Sequence, residues 1–395
     1  MSFYGYPRPD GRVGVRNYVL ILPGGMVSSK ICDFVRGTRT ILTADVGSGR
    51  TKKDRDTIAR VLVGLGRNAN VAGVILHDMG QGQAYPELNP EDLASRISES
   101  DKPVELITSS KYPGTFRMME KGVLAAKELV RKASSNLREK VEDRYLSIAV
   151  KCGYSDATSG IAGNPVVGSL FDRVIDLGGT AFFGENTEII GAEHLLAKRG
   201  VDKKVVKKII LVAKETEEKA KKCGEDIRSI NPIPSNIAGG ISTLEEKSLG
   251  AISKGGTRSI QGVLEYGEIP SINGLYFVDN WMTQLSIFLG YVASGATVTL
   301  FQLGGPGFSE NTLFLPSLGI VSPLLWATAN HRTYEAAIDS VDFYSGSVIQ
   351  DEESIEAAGE RLFDLVKRTA SGQLTKTEPL RYQEVSQLYL QDAAF

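Results

Sequence analysis

Residues 146–183 read LSIAVKCGYSDATSGIAGNPVVGSLFDRVIDLGGTAFF. The apolar run at 146–150 leads into a Gly/Ser-rich loop, then into a helical pattern over 168–177, then into a second apolar run at 179–183. Short continuous apolar runs fit strands buried on both faces, and two of them joined through a helix make a parallel crossover. The same alternation extends in both directions. Toward the N-terminus the pattern predicts strands at 17–22, 38–43, 71–77 and 104–108, with helices at 28–36, 50–65, 90–97 and 118–132. In the second of these helices Ile58, Val61, Leu62 and Leu65 fall at i, i+3, i+4 and i+7. Toward the C-terminus, 203–223 predicts a solvated Lys/Glu-rich helix, and 275–278 and 297–301 predict strands flanking a helix at 282–293. A terminal helix is expected at 351–370, with a polar tail after Ser371 that wraps or frays. The charged stretch 132–144 reads as a helix end or linker. These patterns predict an α/β protein of two doubly wound, mostly parallel domains, 1–140 and 145–395, the second carrying most of the polar motifs.

Composition narrows the chemistry. A net charge of −2 over 395 residues leaves no basic footprint for nucleic acid or an anionic membrane. Cysteine occurs three times (Cys32, Cys152, Cys223) and histidine three times (His77, His194, His331), never at CxxC or HExxH spacing. Disulfide frameworks and zinc ribbons are thereby excluded, and any metal site must rest mainly on carboxylates. No apolar run approaches the roughly 20 residues that span a bilayer. The N-terminal residues carry no apolar leader core, so a cytoplasmic protein is expected. Glycine is in excess: 42 residues, about 11 % against a usual ~7 %.

Much of that glycine lies in loops after predicted strands, where open α/β sheets bind ligands. Residues 6–17 hold Arg8, Asp10, Arg12, Arg16 and Asn17; their guanidinium groups suit an anionic substrate or, equally, surface ion pairs. Residues 151–165, KCGYSDATSGIAGNP, place Cys152, Ser155 and Asp156 where backbone N–H groups can face an anion. Residues 184–194, GENTEIIGAEH, gather Glu185, Glu188, Glu193 and His194, able to hold a divalent ion or to sit on a helix surface. Residues 231–257 contain a capping-box-like run after Gly239 and Gly240, with Lys247 and Lys254 seven apart on one helical face and Gly255-Gly256 closing the helix. Gly304-Gly305-Pro306-Gly307 is a weaker loop of the same kind. The GxxxxGK[ST] and GxGxxG patterns are absent, so no nucleotide cofactor is expected.

Taken in order, GYPRPDGRVGVRNYVLILP, KCGYSDATSGIAGNPVVG, FDRVIDLGGTAFFGENTEIIGAEHLLAKR, NPIPSNIAGGISTLEEKSLGAISKGGT and ASGQLTKTE resemble the altronate dehydratase / galactarate dehydratase family from about Gly5 to Thr375. The resemblance implies a lyase that removes water from a sugar acid such as altronate or galactarate, giving a 2-keto-3-deoxy acid. It implies a divalent metal, iron or else manganese. It also implies an oligomer with a separate small SAF-type subunit, since the large-domain motifs begin at Gly5. A related branch is the large subunit of sulfolactate sulfo-lyase, which expels sulfite. Dehydratases of the family carry cysteines after the first strand and in two glycine turns; here Val27 and Gln81 stand at two such places. A cysteine-held iron centre is therefore not expected, while Cys152, Glu185, Glu188, Glu193 and His194 are kept as possible metal ligands. A non-catalytic paralogue that has lost its metal centre is the alternative reading.

For the lyase, the resemblance and the residue chemistry together suggest His194 with Lys247 or Lys254 as catalytic groups. Arg12, Arg16, Asn17, Ser155, Asp156, Gly255 and Gly256 are expected around the substrate, and a metal would stabilise the enediolate formed by loss of the C2 proton.

Overall fold

A computed structural model of the chain describes residues 2–43, 47–78, 85–305, 319–380 and 384–394. Gln81, Pro306 and Gly307 lie outside the described residues.

The stretch that decided the fold forms the middle of a seven-stranded sheet. Its strand order is Ile260–Leu264, Leu275–Val278, Thr180–Phe183, Ser147–Gly153, Val298–Leu303, Leu324–Thr328, Phe343–Tyr344, and every neighbouring pair is parallel. Ser147–Gly153 is central, and five of its seven residues are fully buried, as a strand covered on both faces requires. After it the chain moves first to one side, to Thr180–Phe183, and only later to the other, to Val298–Leu303. That reversal opens a crevice at the carboxyl ends of these strands. Helices Asn164–Asp176 and Ile355–Ala370 cover one face through Leu170, Phe171, Val174, Leu362 and Val366. Helix Gln284–Ala293 covers the other, with Ile287, Phe288 and Tyr291 against Phe301 and Trp326.

A second parallel sheet, in the order Thr38–Arg39, Tyr18–Leu22, Val71–His77, Val104–Ile107, is built by the N-terminal residues. Past an irregularity in register beside Val71, its side chains alternate. Leu20, Leu22, Val74 and Leu76 face helices Lys52–Arg67 and Pro90–Ser98; Val19, Ile21 and Ile75 face helices Gly25–Phe34 and Thr115–Ala133. The fold is thus α/β with mostly parallel, doubly wound sheets, as the sequence predicts. Helix Lys52–Arg67 also meets helix Gln284–Ala293. A side chain at Gly64 would place its Cβ 2.3 Å from the Ala293 carbonyl oxygen, so glycine is needed for this approach.

One feature departs from expectation. Within 132–144, Glu139–Glu142 is a strand paired antiparallel with Ser2–Gly5 of strand Ser2–Pro7, whose Tyr6 and Pro7 pair in turn with Val13–Gly14. Three of its four residues are exposed, so no apolar alternation marks it, and its partner lies more than 130 residues away. The C-terminal tail wraps, one of the two expected outcomes, and it does so over the N-terminal sheet region. Glu384–Val385 pairs with Ile41–Leu42, Leu388 is buried with Leu20 and Leu22 of the N-terminal sheet, and the Gln391 N–H donates to Asp54 Oδ1 at 2.9 Å.

Candidate active site

Strands Ser147–Gly153 and Thr180–Phe183 run side by side, so the residues that follow their carboxyl ends meet in the crevice. Cys152 leaves the first strand, and Glu185 follows Gly184 at the end of the second. Glu185 has φ of 77°, a left-handed conformation that costs a non-glycine residue energy, and its N–H is held by Asn280 Oδ1 at 2.9 Å. A one-turn helix, Asn186–Glu188, then brings Glu188 back beside Glu185. Across from them, Thr243 caps helix Leu244–Ile252 by accepting from the Glu246 N–H, while Glu246 accepts from the Ser242 N–H. Lys247 lies on this helix and Lys254 on the turn Ser253–Gly255 that ends it, so both ammonium groups point to Glu188.

The result is a buried cluster of one thiol, two carboxylates and three ammonium groups. Cys152 Sγ lies 2.8 Å from Glu188 Oε2 and 3.6 Å from Glu185 Oε2. Lys254 Nζ donates to Glu185 Oε2, to Glu188 Oε2 at 3.2 Å and to Cys152 Sγ at 3.1 Å. Lys151 Nζ reaches Glu185 Oε1 at 3.2 Å and lies over the Phe301 ring. Lys247 Nζ stands 3.4 Å from Glu188 Oε1 and donates to Asn231 Oδ1 at 2.8 Å and Asn236 Oδ1 at 3.2 Å. Each of these side chains is no more than 8 % exposed.

Burial and charge decide the protonation states. Burial pushes the Cys152 thiol well up, and the neighbouring carboxylates Glu185 and Glu188 push it further, so it stays a neutral thiol. Burial alone would raise Glu188; the ammonium groups of Lys254, Lys247 and Lys151 outweigh it and hold the carboxyl far below its usual range. Burial would likewise discharge Lys254, but the carboxylates of Glu185 and Glu188 outweigh it and keep its ammonium charged. With the thiol neutral, three ammonium groups face two carboxylates, which leaves the cluster net positive and receptive to an anion. Lys247 connects it to a cavity of about 330 Å³, lined also by Ser155, Asp156, Ser159, Asn164 and Leu249. Asn236 bridges the two, accepting from Lys247 and donating to the Ser155 carbonyl at 2.9 Å.

Cys152, Glu185, Glu188, Lys247 and Lys254 come together as one site, with Ser155 and Asp156 in the wall of its cavity. The other expected residues stand elsewhere. His194 is exposed on helix Glu193–Ala197, and Glu193 accepts from the Gly191 N–H at 2.6 Å. Arg16 is a buried staple: its five N–H donors go to Glu378 Oε1 and Oε2 and to the carbonyls of Val15, Thr369 and Gln373. Arg12 pairs with Asp10 and donates to the Arg67 carbonyl, and Asn17 accepts from Arg8 and donates to the Ala133 carbonyl. Gly255 and Gly256 are packing positions; a Cβ there would lie 2.9 Å from the Phe183 ring or 2.2 Å from Asp172 Oδ1. Sequence reasoning missed Lys151, Asn231, Asn236 and Asn280. Lys151 had a signal, a lone lysine beside Cys152 in an otherwise apolar strand.

Cys152, Glu185 and Glu188 offer one ligand atom each within 4.8 Å of one another, and among the described residues this group could hold a metal ion. A thiol with two carboxylates is a donor set suited to a divalent transition metal. Lys254 Nζ already stands against all three atoms, so an ion enters only if that ammonium leaves.

Residues 5–134 match the family described as D-galactarate dehydratase/Altronate hydrolase, second domain, and residues 144–392 match D-galactarate/Altronate dehydratase, C-terminal. The chain belongs to the D-galactarate/altronate dehydratase family. It is an enzyme of the lyase kind that the family's dehydratases represent. Its relatives include subunit beta of (2R)-sulfolactate sulfo-lyase from Chromohalobacter salexigens, 32 % identical over 97 % of this chain and 96 % of that one. Altronate dehydratase from Bacillus subtilis is 30 % identical over 98 % of this chain and 77 % of its own length. Galactarate dehydratase (L-threo-forming) from Escherichia coli is 30 % identical over 79 % and 59 %. No helix among the described residues of this dehydratase-family chain is long and apolar enough to cross a membrane.

Proposed function

We propose that this chain dehydrates a sugar acid of the altronate or galactarate type to its 2-keto-3-deoxy acid at the Cys152–Glu185–Glu188–lysine cluster. The observation that carries this reading is the net-positive buried cluster opening through Lys247 onto a polar cavity at the carboxyl ends of the central strands. Such an elimination must make a C2 carbanion bearable. An ammonium beside the substrate carboxylate does so by stabilising the enediolate's added charge in a site that excludes water. Lys247, in the cavity wall, takes that role. When the substrate carboxylate draws Lys247 to itself, Glu188 loses one of the ammonium groups that hold its basicity down and accepts the C2 proton, and an ammonium proton goes to the departing C3 hydroxyl. Loss of water gives the enol, which tautomerises to the keto acid.

The resemblance also implies iron or manganese, which would supply Lewis-acid stabilisation of the same enediolate; Cys152, Glu185 and Glu188 would hold it only with the Lys254 ammonium withdrawn. Assembly with a small partner subunit belongs to the same reading, supported by the subunit name of the sulfo-lyase relative.

A second reading, expulsion of sulfite from sulfolactate, is favoured by the near end-to-end match to that relative. The test is to incubate the purified chain with altronate, galactarate and sulfolactate, following keto acids by proton NMR and sulfite by thiol-reagent colorimetry. A 2-keto-3-deoxy acid from a sugar acid is expected. Sulfite release from sulfolactate alone would replace the first reading by the second, and no turnover of any acid would sink both.

A further inference from the structure

The three atoms that could ligate a metal are already gathered around a cation. Lys254 Nζ contacts Glu185 Oε2 and lies 3.1 Å from Cys152 Sγ and 3.2 Å from Glu188 Oε2. A divalent ion bound to these atoms at roughly 2.0–2.3 Å would sit in the same small space. We infer that the resident cation of this site is the Lys254 ammonium, and that the chain works with it in place of a divalent metal ion. The inference rests on the proposed elimination only for what the ammonium does there, which is to hold both carboxylates and the thiol in position behind Lys247.

Three further observations support it. The oxygens that Lys254 leaves over are also engaged, Glu185 Oε1 by Lys151 at 3.2 Å and Glu188 Oε1 by Lys247 at 3.4 Å, so each carboxylate lies between two ammonium groups. A doubly charged ion in the place of Lys254 would still stand beside the ammonium groups of Lys151 and Lys247. Second, Lys254 is 1 % exposed, so its ammonium is part of the interior and not a surface group that has drifted in. Third, the segment bearing Lys254 is pinned. Gly255 packs on the Phe183 ring, Gly256 takes a φ of +64° against Asp172, and Thr257 donates to Asp172 from both its N–H and its hydroxyl, at 2.7 and 2.6 Å. This packing fixes the Lys254 backbone beside the cluster. An ammonium supplies charge and three directed donors without ligand exchange, which suits a fixed structural cation.

Cobalt(II) tests this directly, because a thiolate bound to it absorbs in the near ultraviolet. Chelator-dialysed wild-type protein, Lys254→Ala, Cys152→Ser and the double variant are titrated with Co²⁺ and read by absorbance and by bound metal per chain. Wild type is expected to show no cobalt–thiolate band that depends on Cys152. Lys254→Ala is expected to bind one ion per chain with that band, lost when Cys152→Ser is added. A wild-type band at one ion per chain that Cys152→Ser abolishes would overturn the inference, as would a folded Lys254→Ala that shows none. If Lys254→Ala does not fold, the wild-type titration decides by itself. Absence of turnover on every acid would count against the proposed reaction and leave these spectra unaffected.

Discussion

Glu378→Gln probes whether Arg16 is a staple or a substrate ligand. The Arg16 and Glu378 side chains are 6 % and 3 % exposed and meet through two bonds, Nε–Oε1 at 2.5 Å and Nη2–Oε2 at 2.7 Å. The carboxylate also accepts from Tyr18 Oη and the Thr375 N–H, both at 3.1 Å. Glutamine keeps the shape and one acceptor, but it leaves a buried guanidinium uncompensated and points an N–H₂ at donors. Breaking a buried pair from one side costs about 3–5 kcal/mol, and the retained acceptor argues for the lower end, about 3 kcal/mol. With an m value of about 3 kcal/mol/M, the urea midpoint should fall by about 1 M. Fluorescence of the fully buried Trp326 reports the transition.

The pH dependence adds a second constraint. Burial alone would raise the Glu378 carboxyl, but its hydrogen bonds with Arg16 outweigh this and hold it below the usual range. With the folded pKa below the unfolded one, the unfolded chain binds more protons between them, so stability rises with pH there. The contribution is complete above the unfolded value, about 4, and is lost as pH falls through the folded one. The gap between wild type and Glu378→Gln should therefore close on acidification. A gap under about 1 kcal/mol at pH 7, or one that stays constant on acidification, would refute the staple.

Other outcomes follow from the site. Native protein should react with Ellman's reagent at one thiol, the exposed Cys223, and at all three after unfolding, because Cys152 is buried and held as a neutral thiol and Cys32 is buried against Val19, Ile21 and Ile75 of the N-terminal sheet. His194→Ala should leave stability within about 0.5 kcal/mol and turnover unchanged, since the imidazole is exposed and outside the cluster; a loss of turnover would return it to the site. Lys247→Met should raise KM for the acid substrate and lower kcat by about 10²-fold, measured by steady-state kinetics on protein of checked folded content. Unchanged KM would remove Lys247 from the carboxylate.

The sequence carried the fold where periodicity is strong. Val71–His77 and Leu275–Val278 appear at the predicted residues because a doubly covered parallel strand admits little but apolar side chains. Glu139–Glu142 was illegible because its pairing with Ser2–Gly5, not its own pattern, makes it a strand. The site was half legible for a related reason. Cys152, Glu185, Glu188, Lys247 and Lys254 stand out as polar residues at strand ends or on one helix face. Arg16 stood out just as clearly, yet its partner Glu378 lies 362 residues away and turns it into a structural group. Residue type reveals the capacity for chemistry; the long-range partner decides whether that capacity is free.

The central claim is that elimination takes place at the buried cluster. The measurement that bears on it most directly compares wild type with Glu188→Gln on the sugar acid that wild type turns over, following 2-keto-3-deoxy acid by proton NMR and folded content by circular dichroism. The account predicts a folded variant slowed by about 10²-fold or more, because the group that accepts the C2 proton is gone. A folded Glu188→Gln that forms the keto acid at the wild-type rate would contradict it.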